Sequence, residues 1–148
     1  MIKFKEDKAS LRNRINIHSH YGQKDMVKWV SKLVTRKKNL EILDLACGDG
    51  VQTVKFSNFL KKKKIKHKII ASDSNKDLLI TAKKNHKRKN ITYKKLNFDQ
   101  KFRFTNKKFD LVICLFGIYY SKNIKKTLIE IQKILADKGQ LIFVGPLR

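Results

Sequence analysis

Glu41-Ile-Leu-Asp44-Leu-Ala-Cys-Gly48-Asp-Gly50-Val-Gln-Thr53 is the stretch from which the fold is read. Ile42, Leu43 and Leu45 make a short apolar run around Asp44, the pattern of a buried strand. Gly48 and Gly50 follow at once, and helix-competent sequence begins near Val51. A strand, a tight glycine turn and a helix N-terminus present backbone N–H groups and let a ligand approach the main chain. A dinucleotide fold uses Gly-x-Gly-x-x-Gly at such a corner, so that a pyrophosphate sits on the helix end. Here Thr53 stands where the third glycine belongs. Asp44 also argues against phosphate, because a carboxylate at the strand end repels it and attracts an ammonium group. A nucleoside that carries an amino acid in place of phosphates suits this loop better, and S-adenosylmethionine (SAM) is such a molecule. The plain alternative is an ordinary strand-turn-helix corner with a helix-capping aspartate.

Elements of the same kind continue on both sides. Upstream, Met26, Val27, Val30, Leu33 and Val34 give residues 24–36 a helical apolar stripe ahead of a strand over 40–46. Downstream, a helix is expected from Val51 to about Lys64, its four terminal lysines favourable beside the helix C-terminus. A second strand over 67–72 ends in Asp73, and a helix follows over 75–89, capped by Asp73, Ser74 or Asn75. Ile91 to Leu96 is a third strand, and Phe109 to Gly117 a fourth, apolar almost throughout as a strand buried on both faces should be. A helix over 122–136 stops at Lys138-Gly139 before a fifth strand over 140–144. Five alternations of strand and helix predict an α/β architecture, a parallel sheet with helices on both faces.

Asp44-Leu-Ala-Cys-Gly48-Asp-Gly50, the acid at Asp73 and Phe109-Asp-Leu-Val together resemble the class I SAM-dependent methyltransferases. Within that family the pattern is similar to the small-molecule group that includes ubiquinone and menaquinone methyltransferases. The resemblance runs over roughly residues 24–145 and departs at Ala46, where many members have glycine. It implies a Rossmann-like sheet of order 3-2-1-4-5, and an enzyme that transfers the methyl group of SAM to an acceptor. It places Asp44 near the amino-acid end of SAM, with the backbone of Ala46, Cys47 and Gly48 cradling it and Gly50 opening the helix. Asp73 lies 23 residues after Gly50, where a carboxylate holds ribose hydroxyls. Asp99 is implied for the adenine amino group and Phe98 for a backbone and edge contact. Ser74, Asn97 and Leu115 complete the implied cofactor set. Tyr119 and Tyr120, at the carboxyl end of the fourth strand, are placed to line the acceptor pocket, and Tyr21 to stack near the sulfonium. No residue is assigned as a catalytic base, and no metal is required.

The 148 residues favour one domain, residues 24–148, behind an N-terminal arm, residues 1–23, in which Arg14, His18, His20 and Tyr21 crowd together. No apolar run approaches the roughly 18 residues of a membrane span, and no apolar signal core opens the chain, so a cytoplasmic location is expected. Cys47 and Cys114 lack the spacing of a metal site or disulfide framework. Thirty-six Lys and Arg against twelve Asp and Glu give a net charge of +24. That balance predicts weak, nonspecific nucleic-acid binding at most, since only six of the basic residues are Arg, the usual reader of guanine. Heavy use of Lys, Asn and Ile also fits the coding of an AT-rich genome. The expected acceptor is a small molecule. An RNA methyltransferase, or a non-catalytic basic SAM- or nucleic-acid-binding module, is the alternative. Against the first stands Leu115-Phe-Gly-Ile-Tyr-Tyr120, where enzymes that methylate base amino groups carry Asn/Asp-Pro-Pro-aromatic. The family normally adds two strands beyond the fifth, so a shortened domain is expected, which either pairs its open fifth-strand edge with a second copy or another protein or binds SAM with little activity alone.

Overall fold

The computed structural model describes residues 26–35 and 38–145. Strands β1 (Leu40–Leu45), β2 (His67–Asp73), β3 (Ile91–Lys95), β4 (Phe109–Leu115) and β5 (Leu135–Val144) form one sheet. Its order is β3-β2-β1-β4-β5 and every neighbouring pair is parallel, the Rossmann-like arrangement expected. Helices α1 (Met26–Leu33), α2 (Val51–Lys62), α3 (Lys76–Asn85) and α4 (Ile124–Ile134) flank it. None among the described residues is long and apolar enough to cross a membrane.

The two faces follow from the period of a strand. Leu40 and Ile42 of β1 pack with Val27 and Val30 of α1, Phe56 and Leu60 of α2, and Leu79 and Ala82 of α3. Leu43 and Leu45 point the other way, into a cluster with Phe102 of the β3–β4 connection and Ile131 and Ile134 of α4. Ile42, Leu43, Leu111, Val112 and Ile113 are fully buried between these layers. Each side chain of this size contributes about 1.5–3 kcal/mol on burial, so the central strands anchor the sheet. The β3–β4 connection is held down by Glu130 of α4, which accepts from the Phe102 N–H at 3.0 Å and from Lys133 Nζ at 2.6 Å.

Element ends differ from the sequence reading for local reasons. Helix α2 stops at Lys62, not Lys64, because Lys64 adopts a left-handed φ of 57°. The N–H of Lys64 then bonds Lys61 O and that of Ile65 bonds Leu60 O, the double closure of a Schellman motif. Helix α3 ends at Asn85, and its cap is Asn75, whose side chain accepts from the N–H groups of Asp77 and Leu78. Strand β4 ends at Leu115, since Phe116 turns left-handed at φ 58° and gives its N–H to Val144 O. Helix α4 ends at Ile134, and β5 starts directly at Leu135. Lys138-Gly139 is therefore no helix stop but part of a bulge inside β5, where the register against β4 shifts between Phe109 and Leu111.

Lys64 occupies the left-handed site that glycine fills without a Cβ penalty. Lys64→Gly should stabilise the fold by about 0.5 kcal/mol, the relieved strain outweighing the added freedom of the unfolded chain. Urea denaturation checks this; a loss of stability would mean that the lysine side chain contributes more to the fold than its backbone costs.

Candidate functional site

The carboxyl ends of β1 and β2 bring together three acidic side chains and a loop of unusual backbone. Asp44, the fifth residue of β1, points toward α2 and is 3% exposed. Its Oδ2 accepts the Thr53 hydroxyl at 2.5 Å, and Thr53 is itself fully buried in the first turn of α2. Burial pushes the Asp44 carboxyl up to about 7; the Thr53 bond opposes this and the Asp73 carboxylate adds to it. Asp73 closes β2 and reaches across to the loop. Its Oδ2 accepts the Gly48 N–H at 2.8 Å and its Oδ1 the Asn75 N–H at 2.8 Å. Burial raises its pKa while these backbone bonds lower it. Asp73 is thus not the cap of α3, and its carboxylate keeps acceptor capacity beyond these backbone bonds. The third acid, Asp49, bonds the Val51 N–H through Oδ1 at 3.3 Å.

The loop approaches its neighbours as only small residues can. Gly48 and Gly50 have φ values of 58° and 82°, and Ala46 joins them at 59°. A Cβ on Gly50 would stand 2.9 Å from Tyr93 Oη and 3.1 Å from Ala82 Cβ, so this glycine lets α2 start directly over β3 and α3. A Cβ on Gly117 would stand 2.4 Å from that of Ala46, which sets the β4 turn against the β1 loop. Gly50 itself offers α2 no side-chain cap, and the Asp49 carboxylate takes the Val51 N–H of that helix end. The carboxylates also act on their neighbours. Burial first, then Asp44 and Asp73, drive the Cys47 thiol far above its ordinary range, and burial with Asp44 pushes Cys114 up to about 12. Both thiols are inert at neutral pH. The field in this loop is negative, in a chain of net charge +24.

The other expected residues lie at the same end of the sheet. Asn97 follows β3, and its Oδ1 accepts the Asp99 N–H at 2.9 Å. Asp99 Oδ1 accepts the Ser121 hydroxyl at 2.9 Å and the Lys122 N–H at 2.8 Å, so it also fixes the turn into α4. Phe98 O accepts the Thr127 hydroxyl at 3.1 Å. Ser74 follows Asp73 directly, and Leu115 ends β4, half-buried against the α1–α3 face. Tyr119 and Tyr120 sit on a 3₁₀ turn, Ile118–Tyr120, with ring centroids 4.5 Å apart. Tyr21, with Arg14, His18 and His20, lies outside the described residues. Thr53 and Tyr93 were not singled out from sequence. The signal for Thr53 was its place nine residues after Asp44 at the first turn of α2; nothing near Tyr93 marked it.

Comparison with known proteins agrees with this geometry. The family model described as "Methyltransferase domain" matches residues 42–139. No curated protein matches the chain significantly. A Haloferax volcanii protein, solved with a methyltransferase activator, is 18% identical with a TM-score of 0.73 over 91% of this chain and 56% of its own. A candidate methyltransferase from Bacillus halodurans C-125 is 25% identical with a TM-score of 0.69, over 81% of this chain and 50% of its own. SAM-bound CalS10, an amino pentose methyltransferase from Micromonospora echinaspora, is 16% identical with a TM-score of 0.69, over 91% and 56%. The chain therefore spans about half the length of the solved structures it matches.

The raised pKa of Asp44 carries a stability consequence. Its value is about 7 in the fold against an ordinary 3.8, so the folded state holds the proton more tightly. Stability should then fall as pH rises from about 4 to about 7, where the buried group must ionise. Asp44→Asn keeps an acceptor for Thr53 and removes that charge. Denaturant unfolding should find the variant more stable than wild type at pH 8 and nearly equal to it at pH 4.5. Parallel pH profiles for the two proteins would contradict this.

Proposed function

The chain belongs to the methyltransferase domain family, and from that premise we propose that it binds SAM at the carboxyl end of β1 and β2 and transfers the methyl group to a small-molecule acceptor. The observation that carries the reading is the convergence of Asp44 and Asp73 on the glycine loop. Two carboxylates and a negative local field suit a ligand with an ammonium group, a sulfonium and a ribose, and repel a pyrophosphate. SAM supplies an electrophilic methyl group on sulfur; the chain supplies position and surroundings.

In this reading Asp44, held by Thr53, receives the ammonium end, directly or through water. The backbone of Ala46, Cys47 and Gly48 lines the amino-acid portion, and Gly50 leaves the start of α2 open beside it. Asp73 takes the ribose hydroxyls on its remaining acceptor capacity, with Ser74 beside it. Asp99 meets the adenine amino group through Oδ2, because Oδ1 is committed to Ser121 and Lys122. Phe98, Asn97 and Leu115 border the base. Tyr119 and Tyr120 border the acceptor side. Residues 24–148 act as the SAM-binding domain and residues 1–23 as its arm.

Asp73→Ala should weaken SAM binding by about 1.5–3 kcal/mol, the range for hydrogen bonds to a charged group. Asp73→Asn, which keeps the shape, should lose less. Calorimetric titration of folded variants reads both. Wild-type affinity in Asp73→Ala would remove Asp73 from the site.

A further inference from the structure

A second feature lies at the opposite end of the sheet. Four lysines, Lys61, Lys64, Lys66 and Lys89, line an open cavity of about 460 Å³ together with His67 and Asn90. Residues 61–68 and 83–89 hold eleven Lys and Arg and no Asp or Glu. The two segments meet because β2 and β3 start side by side, with the Ile69 N–H on Asn90 O at 2.8 Å. A favourable place near the α2 C-terminus accounts for Lys61. It does not account for Lys66, which leads into β2, or for Lys89, which leads into β3. Among the described residues none of the four pairs with a carboxylate.

A hydrogen-bond network stands behind these lysines. His67 Nδ1 lies 2.8 Å from Ile65 O and so carries the proton, which makes Nε2 an acceptor. Ser57 Oγ at 2.8 Å and Asn90 Nδ2 at 2.9 Å both donate to it, and Asn90 Nδ2 also reaches Ser57 Oγ at 3.1 Å. This network ties α2, β2 and the β3 approach together and fixes the backbone from which Lys66 and Lys89 project. Lys64 is held in its left-handed conformation by the closure of α2, against the preference of a non-glycine residue. Four like charges around one cavity repel each other until an anion joins them. Lysine offers point charge and no planar fork, so it reads phosphates and not base edges.

We propose that this lysine cavity is a docking site for the phosphate backbone of nucleic acid, bound without sequence preference. It is independent of the SAM reading. Strand β2 runs from His67 to Asp73, about 20 Å at the rise of a parallel strand, so the docked phosphates lie away from the methyl-transfer end.

The test compares two fourfold variants of the full chain with equal charge change. One carries Lys61→Gln, Lys64→Gln, Lys66→Gln and Lys89→Gln. The other carries Lys32→Gln, Lys101→Gln, Lys125→Gln and Lys126→Gln, on exposed positions elsewhere. Fluorescence anisotropy with labelled oligouridylate, across a salt series, reads affinity and its slope. The cavity variant should lose at least about tenfold in affinity and about 2–3 from the slope of log K against log salt. The control should lose much less, and both should keep the wild-type circular dichroism spectrum. Equal losses in the two variants would reduce the effect to bulk charge and overturn the proposal. So would competition by tripolyphosphate at the oligonucleotide's own affinity, which would assign the cavity to a small polyphosphate.

Discussion

The carboxyl group of Asp44 is buried at the end of β1, and the surrounding loop is arranged to hold it there. Thr53 reaches back from α2 to donate to it, and the Ser72 hydroxyl donates to the carbonyl of Asp44 at 3.0 Å. Asp73 draws the Gly48 N–H across from the neighbouring strand at 2.8 Å. These bonds work only if the chain turns sharply after Leu45, and three left-handed residues, Ala46, Gly48 and Gly50, make that turn. Ala46 accepts the strain that glycine would avoid. A carboxyl group raised to about 7 opposes the fold it sits in, as a group kept for a ligand commonly does.

Much of this architecture was readable in the residues. The stretches 42–45 and 109–115 are apolar but for Asp44 and Asp110 because β1 and β4 are covered on both faces, so their type and place were plain. The loop was plain too, since glycine spacing and a strand-end acid are local features. Element ends were less so. Nothing in Lys61-Lys-Lys-Lys64 marks which lysine turns left-handed, because that is decided by Ile65 burying itself behind the helix. The β5 bulge arises from pairing with Phe109, a residue distant in sequence. The bonds of Asp99 to Ser121 and Lys122, and of Glu130 to Phe102, likewise depend on tertiary neighbours that periodicity cannot name.

Two local charge clusters lie at the two ends of the sheet. At the carboxyl end of the sheet three aspartates surround a glycine loop; at the amino end, four lysines surround a cavity. The strand direction common to all five strands keeps them apart, since parallel strands put every carboxyl end on one side. The chain spans only about half of the matched structures, which share its sheet and extend beyond the span compared.

The central claim, that SAM binds at the carboxyl ends of β1 and β2, is tested most directly by amide chemical-shift mapping. Titrating SAM into the ¹⁵N-labelled chain should shift the amides from Leu45 to Thr53, those of Asp73 and Ser74, and those from Asn97 to Asp99. The amides around Lys64 and His67 should stay in place. An unshifted glycine loop at saturating SAM, or shifts confined to the amino end of the sheet, would contradict the account.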